Sequence, residues 1–244
     1  SSSRQVALFV DEFTNTQDVE VGKAGIALLE ALGYAVILPR HTDSGRPLLS
    51  KGLVRAAAVR ARRNVEALWP LVSQGIPIVG LEPSALLTLV DEYPDLVPQR
   101  LTHAAGEVAS AARLLEDFLA EEHAIRDLSD YFDDVPRVIR LHGHCHQKAL
   151  VGCDGALNCL AIPRGHQVSL IDAGCCGMAG SFGYEKHHHA LSLAIGESRL
   201  FPAVRDTPEA DLVAAGGFSC RHQILDGTAR SALHPAQILV TALK

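Results

Sequence analysis

An α/β fold made of two similar parallel halves packed as one body follows from three features of this 244-residue sequence. Short apolar runs alternate with longer stretches of helical periodicity, the pattern of strands and crossover helices in a parallel sheet. The apolar runs break into polar or glycine-rich residues, and in open α/β sheets the carboxyl ends of strands are where ligands bind. The order of runs, and the approximate spacing between their ends, recurs in the second half, as in an internal repeat.

In the first half, Val6 to Val10 reads as a buried strand ending at Asp11 and Glu12. Val21 to Leu32 has helical spacing and stops at Gly33, a natural C-terminal cap. Tyr34 to Leu38 is a second strand, followed by a turn through Asp43, Ser44, Gly45 and Arg46 and a long helix from about Leu53 to Val72. Arg60, Arg62 and Arg63 belong to the solvated face of that helix. Ile76 to Leu81 is a third strand, closed by Glu82-Pro83-Ser84 and a short helix through Leu89. From Ala104 to about Phe132 the periodicity predicts helix, with Leu114, Leu115, Phe118 and Leu119 on one face and Glu107, Glu116, Glu121 and Glu122 on the other. The expected division is a first α/β unit over 4–103, a connecting helical segment over 104–136 and a second α/β unit over 137–244.

The second half repeats the plan with sulfur at its strand ends. Val138 to Leu141 runs into Gly143-His144-Cys145-His146, and Gln167 to Ile171 into Gly174-Cys175-Cys176-Gly177. After a helix over about His187 to Leu200, Asp211 to Ala215 runs into Gly216-Gly217-Phe218-Ser219-Cys220, and a last helix covers about Ala236 to Leu243. Parallel strands place their carboxyl ends together, so Cys145, Cys175, Cys176 and Cys220 are predicted to converge. Consecutive cysteines cannot readily bridge each other, since their Cα atoms lie about 3.8 Å apart and a disulfide needs about 4.4–6.8 Å. Four thiolates instead suit a [4Fe–4S] cluster or a structural zinc. Gly174, Gly177 and Gly217 would let the backbone fold closely around such a centre. Imidazole is a common metal ligand. With four thiols available, however, His142, His144, His146 and His222 are expected around the sulfurs or facing a flavin rather than as ligands, with His144, His146 and His222 lining the pocket. Cys153 and Cys159 read as small apolar residues within a helix. His187, His188 and His189 read as a surface triplet.

Composition sets the outer bounds. Hydrophobic residues make up 48% of the chain, enough for a substantial core, and a formal charge of −6 offers no electrostatic footprint for nucleic acid. No apolar run reaches a membrane span and no secretory signal opens the sequence, so the expected location is cytoplasmic, or peripheral to a membrane through a larger complex. All six cysteines fall in the second half, a clustering that favours metal or redox chemistry over disulfides in a chain of this size. Ser1 to Ser3 read as an artificial leader or a cut inside a longer protein.

These motifs resemble the cysteine-rich "CCG" domain of heterodisulfide reductases and of glycolate oxidase iron–sulfur subunits. They are more similar still to the C-terminal region of FAD-linked oxidases of the D-lactate and D-2-hydroxyglutarate dehydrogenase type. The matching stretches are Ser44 to Leu53, Gly80 to Ser84, His142 to Leu150, Gly174 to Glu185, Gly217 to Ile224 and His234-Pro235. The resemblance implies tandem CCG-type repeats and an iron–sulfur electron-transfer module. It also implies an FAD-binding domain and a ferredoxin-like cluster domain, upstream or separate, with the flavin only there. No catalytic residue is expected in this chain, which would not oxidise a hydroxy acid alone and would be a fragment or detached module. Two departures stand out. The family's final Cys-x-x-Cys has its first cysteine replaced by Gly217, and the first half carries Asp43-Ser44 and Ala85 where cysteines would stand, so no cluster is expected there. Competing readings are a structural zinc or metal-free domain that shapes a flavin site or joins subunits, and thiol–disulfide chemistry at the paired cysteines.

Overall fold

The computed structural model describes residues 4–244, so the reading of Ser1 to Ser3 falls outside the described residues. The chain forms two compact units, dividing between Phe118 and Leu119.

The first unit contains a four-stranded parallel sheet of β1 (Arg4–Phe9), β2 (Tyr34–Ile37), β3 (Ile78–Gly80) and β4 (Ala112–Leu114), in the order β2-β1-β3-β4. Its helices are α1 (Val19–Ala31), α2 (Arg46–Ser50), α3 (Val54–Val72), α4 (Pro83–Val90), α5 (Tyr93–Leu96) and α6 (Thr102–Ala111). The central strand β1 is buried from Val6 through Phe9, as a strand covered on both faces must be. Phe9, Val65, Leu68, Ile78, Leu86, Tyr93 and Val108 share one apolar core. Of the arginine run, Arg63 is exposed and Arg62 pairs with Glu66 one turn on at 3.1 Å. Arg60, however, is half-buried and pairs with Asp43 of the preceding turn at 2.9 Å, so the run is not wholly a solvated face.

The continuous helix expected from Ala104 to Phe132 is interrupted. Residues Ala112–Leu114 leave the helix and pair in parallel with β3, Ile78 opposite Ala112 and Gly80 opposite Leu114. Ala-Arg-Leu-Leu has good helix propensity, but propensity is worth only tenths of a kcal/mol per residue. Pairing with the otherwise bare edge of β3 outweighs it. Helix resumes in α7 (Leu115–Ile125).

The second unit contains β5 (Arg137–His142), β6 (His166–Leu170) and β7 (Leu212–Ala215), all parallel and ordered β6-β5-β7. The arrangement of second, first and third strand thus recurs in both sheets. Around this sheet are α8 (Cys145–Leu150), α9 (Asp154–Leu160), α10 (His189–Arg205), α11 (Phe218–Thr228) and α12 (Pro235–Val240). Cys153 precedes α9 rather than lying within a helix, because Gly152 breaks the chain with φ +78°. His234 caps α12 by accepting from the Ala236 N–H, and Gln237 reaches back to the His234 N–H. No helix among the described residues is long and apolar enough to cross a membrane.

Leu68 is fully buried in the first core. We predict that Leu68→Ala lowers unfolding free energy by about 2–5 kcal/mol, the usual cost of such a cavity. Urea denaturation followed by circular dichroism reads the change, and an unaltered midpoint would contradict this packing.

Candidate metal centre

Three connections in the second unit carry the cysteines. β5 ends at His142, and the chain turns through Gly143 and His144 into α8, whose first residue is Cys145. β6 leads into the loop that holds Cys175 and Cys176, and β7 passes through Gly216 and Gly217 into α11, with Cys220 in its first turn. A helix N-terminus presents free N–H groups and favours negative charge, which suits a thiolate.

The four sulfurs form a row of contacts: Cys145 to Cys175, Cys175 to Cys176, Cys176 to Cys220. Protons are shared along it. Hydrogen bonds from Cys145 and then Cys176 hold the Cys175 thiol well below the ordinary range, and the Gly177 N–H also donates to its Sγ at 3.3 Å. The contact with Cys176 likewise lowers Cys220, and the nearby imidazoles of His144 and His142 lower it further. Cys145 and Cys176 are pushed up, each chiefly because it donates to Cys175. Cys176 and Cys220 are buried within the apolar core of this unit, beside Ile171, Met178, Phe201 and Ile224. Cys175 is partly buried and Cys145 exposed, and all six cysteines are free thiols.

The Cys-Cys-Gly loop is fastened from three sides. Lys148 of α8 donates to the carbonyls of Ala173 and Gly174, the latter at 2.9 Å. Ser192 of α10 donates to the Gly177 carbonyl at 2.8 Å, and Gln223 of α11 donates to the Ser192 side chain at 2.9 Å. Gly177 has φ +97°, and a Cβ there would run into the Ser192 carbonyl. Ala179 also adopts a left-handed conformation, φ +44°, unusual for a residue with a side chain.

The histidines divide by environment. His144 is buried and its Nδ1 accepts from the His146 N–H, capping α8. A side chain at position 217 would meet the His144 ring and lie 3.2 Å from the Cys220 Sγ. The space for a cysteine at Gly217 is therefore already filled by an imidazole. His146 is half-buried. His222 is exposed with its ring 4.1 Å from that of Phe218. Gly174 is exposed and Gly217 buried.

His142, outside the set of six pocket residues expected from sequence, is the notable one. It is 1% exposed, its ring is within hydrogen-bonding reach of the Cys220 sulfur, and neither ring nitrogen has an oxygen or nitrogen partner. A ring nitrogen of His142 and the Sγ atoms of Cys176 and Cys220 all lie within 4.8 Å of one another. Leaving a buried donor or acceptor unpaired costs about 1–3 kcal/mol, so such groups usually mark a missing partner. The sequence signal was the alternation His142-Gly143-His144-Cys145-His146 itself, which does not reveal which ring turns inward. Cys153 is buried with its sulfur against Gly143, and Cys159 is fully buried, as expected of small apolar residues. Glu185, His187 and His188 form a second group of donor atoms within 4.8 Å of one another, at the surface. The approach of His187 and His188 to the Glu185 carboxylate, at 3.5 and 3.0 Å, accounts for it.

In the first unit the corresponding strand ends carry oxygen. Glu12 accepts from the Ser44 hydroxyl at 2.7 Å and the Ser44 N–H at 2.9 Å. The Tyr93 hydroxyl donates to the Ser44 carbonyl, and Asn64 donates to the Tyr93 oxygen. Asp11 accepts from Thr14 and from the Phe13 N–H. Burial, with the charge of Glu82 adding to it, pushes the Asp11 carboxyl up to about 7.

No family model matches the chain. One subunit of the anaerobic glycerol-3-phosphate dehydrogenase of Escherichia coli K12 is 30% identical over 241 residues, 98% of this chain and 59% of that protein. D-2-hydroxyglutarate dehydrogenase of the same strain is 28% identical over 251 residues, 99% of this chain and 23% of the relative. Lactate utilization protein A of Bacillus subtilis 168 is 27% identical over 184 residues, 73% of this chain and 74% of the relative. The chain therefore spans about three fifths of the first of these and under a quarter of the second.

Two outcomes are expected. Gly177→Ala should destabilise the second unit by more than the roughly 1 kcal/mol of an ordinary Gly→Ala change, because strain and a backbone clash act together. Thermal unfolding measures it, and a stabilised variant would contradict the loop geometry. For Asp11, the folded carboxyl keeps its proton where the unfolded one, near 3.8, has lost it. Its contribution to stability is full below that value and is lost as pH rises toward about 7. Asp11→Asn, neutral throughout, should gain on the parent across this window by roughly a few kcal/mol at 1.36 kcal/mol per unit. Denaturation at acid and mildly alkaline pH decides, and a parallel pH dependence in the two proteins would sink the assignment.

Proposed function

We propose that this chain, a cysteine-rich CCG-type domain related to FAD-linked 2-hydroxy-acid oxidoreductases, is an iron–sulfur electron-transfer module. The observation that carries the reading is the row of four thiols delivered by three parallel strand ends, in a chain related over nearly all its length to such enzymes. The donor set fits a metal centre: four sulfurs in contact, two of them lowered toward thiolate, a backbone N–H on one of them, and a buried imidazole without an oxygen or nitrogen partner.

Cys145, Cys175, Cys176 and Cys220 would hold a [4Fe–4S] cluster, which supplies one-electron storage when bound. The chain's own residues do the rest. Gly177 donates to a ligand sulfur, which withdraws charge from it, and the core around Cys176 and Cys220 keeps water away. The exposed side, at Cys145 and Gly174, is the face from which electrons would enter or leave. On this reading a flavin on another domain would supply the oxidation of a 2-hydroxy acid to the 2-oxo acid, with release of two electrons and two protons. A cluster held by Cys145, Cys175, Cys176 and Cys220 would supply one-electron transfer between a ferredoxin-like domain and an acceptor. The setting would be the cytoplasm or the membrane periphery. The matching strand order of the two sheets supports a tandem repeat, of which the first copy kept the scaffold without thiols.

A structural zinc is the second reading. It is favoured by the mutual 4.8 Å spacing of His142, Cys176 and Cys220, since donors about 2.0–2.3 Å from a single ion must lie close together.

Anaerobic reconstitution of the chain with iron and sulfide separates the two. The cluster reading expects brown protein with absorption at roughly 400 nm, about four irons per chain and bleaching by dithionite. In Cys220→Ser, with circular dichroism unchanged, iron should fall to background. A colourless protein retaining one zinc would overturn the cluster in favour of the structural site.

A further inference from the structure

Four histidines are buried among the described residues: His142, His144, His166 and His234. Three have a ring nitrogen engaged by the backbone. His144 and His234 each accept a backbone N–H at the start of a helix, and the Nδ1 of His166 pairs with the Leu160 carbonyl at 2.8 Å. His142 alone has neither nitrogen met by an oxygen or a nitrogen. A neutral imidazole always carries one donor and one acceptor, so burial of both is sustained only if something else meets them. The groups that face it are the Cys176 and Cys220 sulfurs, within 4.8 Å.

The residue stands at the end of β5, the central strand of its sheet, so the ring is placed by the most constrained backbone in the unit. The alternative direction for a fifth donor is closed, because a side chain at Gly217 would collide with the His144 ring. The Nδ1 of His144 is committed to capping α8. His142 is thus the ring left facing the sulfurs with no oxygen or nitrogen to satisfy it.

We propose that His142 is a nitrogen ligand of the metal centre, beside Cys176 and Cys220, so that the site is a mixed imidazole and thiolate centre. This rests on the reading of the cysteines as a metal site. Its consequence is electronic. As a fifth donor a neutral imidazole brings no negative charge, so the centre is easier to reduce than one with a fifth thiolate in that place. Cysteine at position 142 should do the opposite.

The test uses the whole chain, reconstituted anaerobically with iron and sulfide, with and without ¹⁵N-histidine. After reduction, pulsed EPR should show a strong nitrogen coupling that changes on labelling. The coupling should vanish in His142→Cys while iron is retained and the midpoint potential moves to more negative values. His222→Gln, at an exposed position, should leave both signals as they were. Where the chain loads only zinc, X-ray absorption should count one nitrogen among the sulfurs in the parent and none in His142→Cys. A loaded parent without nitrogen coupling, or with a zinc shell of sulfur alone, overturns the ligand while leaving the cysteine site standing. Coupling that persists in His142→Cys overturns it equally. A parent that takes up neither iron nor zinc overturns the metal centre itself.

Discussion

Sulfur crowding at one edge of a parallel sheet is the constraint on which the second unit depends. Parallel strands end at the same edge, and three of them here release the chain directly into cysteine-bearing turns. Thiols brought this close, two of them in the apolar core, cannot each titrate alone: Cys175 and Cys220 are lowered and Cys145 and Cys176 raised. The loop that carries the paired cysteines is fastened by side chains. Lys148 of α8 and Ser192 of α10 hold its carbonyls, Gln223 of α11 holds Ser192 in turn, and Gly177 admits the Ser192 carbonyl where no side chain would fit.

The first unit shows what the same strand order does with oxygen in place of sulfur. Glu12, Ser44, Tyr93 and Asn64 satisfy one another in a continuous hydrogen-bonded chain, and Asp11 is held by Thr14. Carboxylates, hydroxyls and amides are strong donors and acceptors, so such a cluster closes on itself. Thiols are poor hydrogen-bonding groups and good metal ligands, so the sulfur cluster remains open. His142, buried beside it with no oxygen or nitrogen partner, is the clearest sign of that openness.

The relationships to glycerol-3-phosphate and D-2-hydroxyglutarate dehydrogenase proteins run through both units, including the one without cysteines at its strand ends. Similarity that extends over 98% and 99% of the chain means the first unit belongs to the shared plan and is not an unrelated addition. Its polar strand ends and buried central strand make it a scaffold with a core of its own.

Much was written in the order of residues. Alternating apolar runs and helical periods determine parallel α/β units, and strand ends follow because apolar runs stop where glycine, cysteine or aspartate begin. The four cysteines could be assigned to one edge on that basis alone, since parallel pairing fixes which ends lie together. Other features had to wait for three dimensions. Residues Ala112–Leu114 read as helix locally and become strand only because β3 offers an unpaired edge. Among the histidines of the β5 turn, sequence spacing treats His142, His144 and His146 alike. Backbone geometry separates them: His144 caps a helix and His146 stays at the half-exposed margin, while the last residue of a central strand turns its ring into the core. Composition and periodicity specify which elements form; the direction of a single side chain depends on the packing of elements distant in sequence.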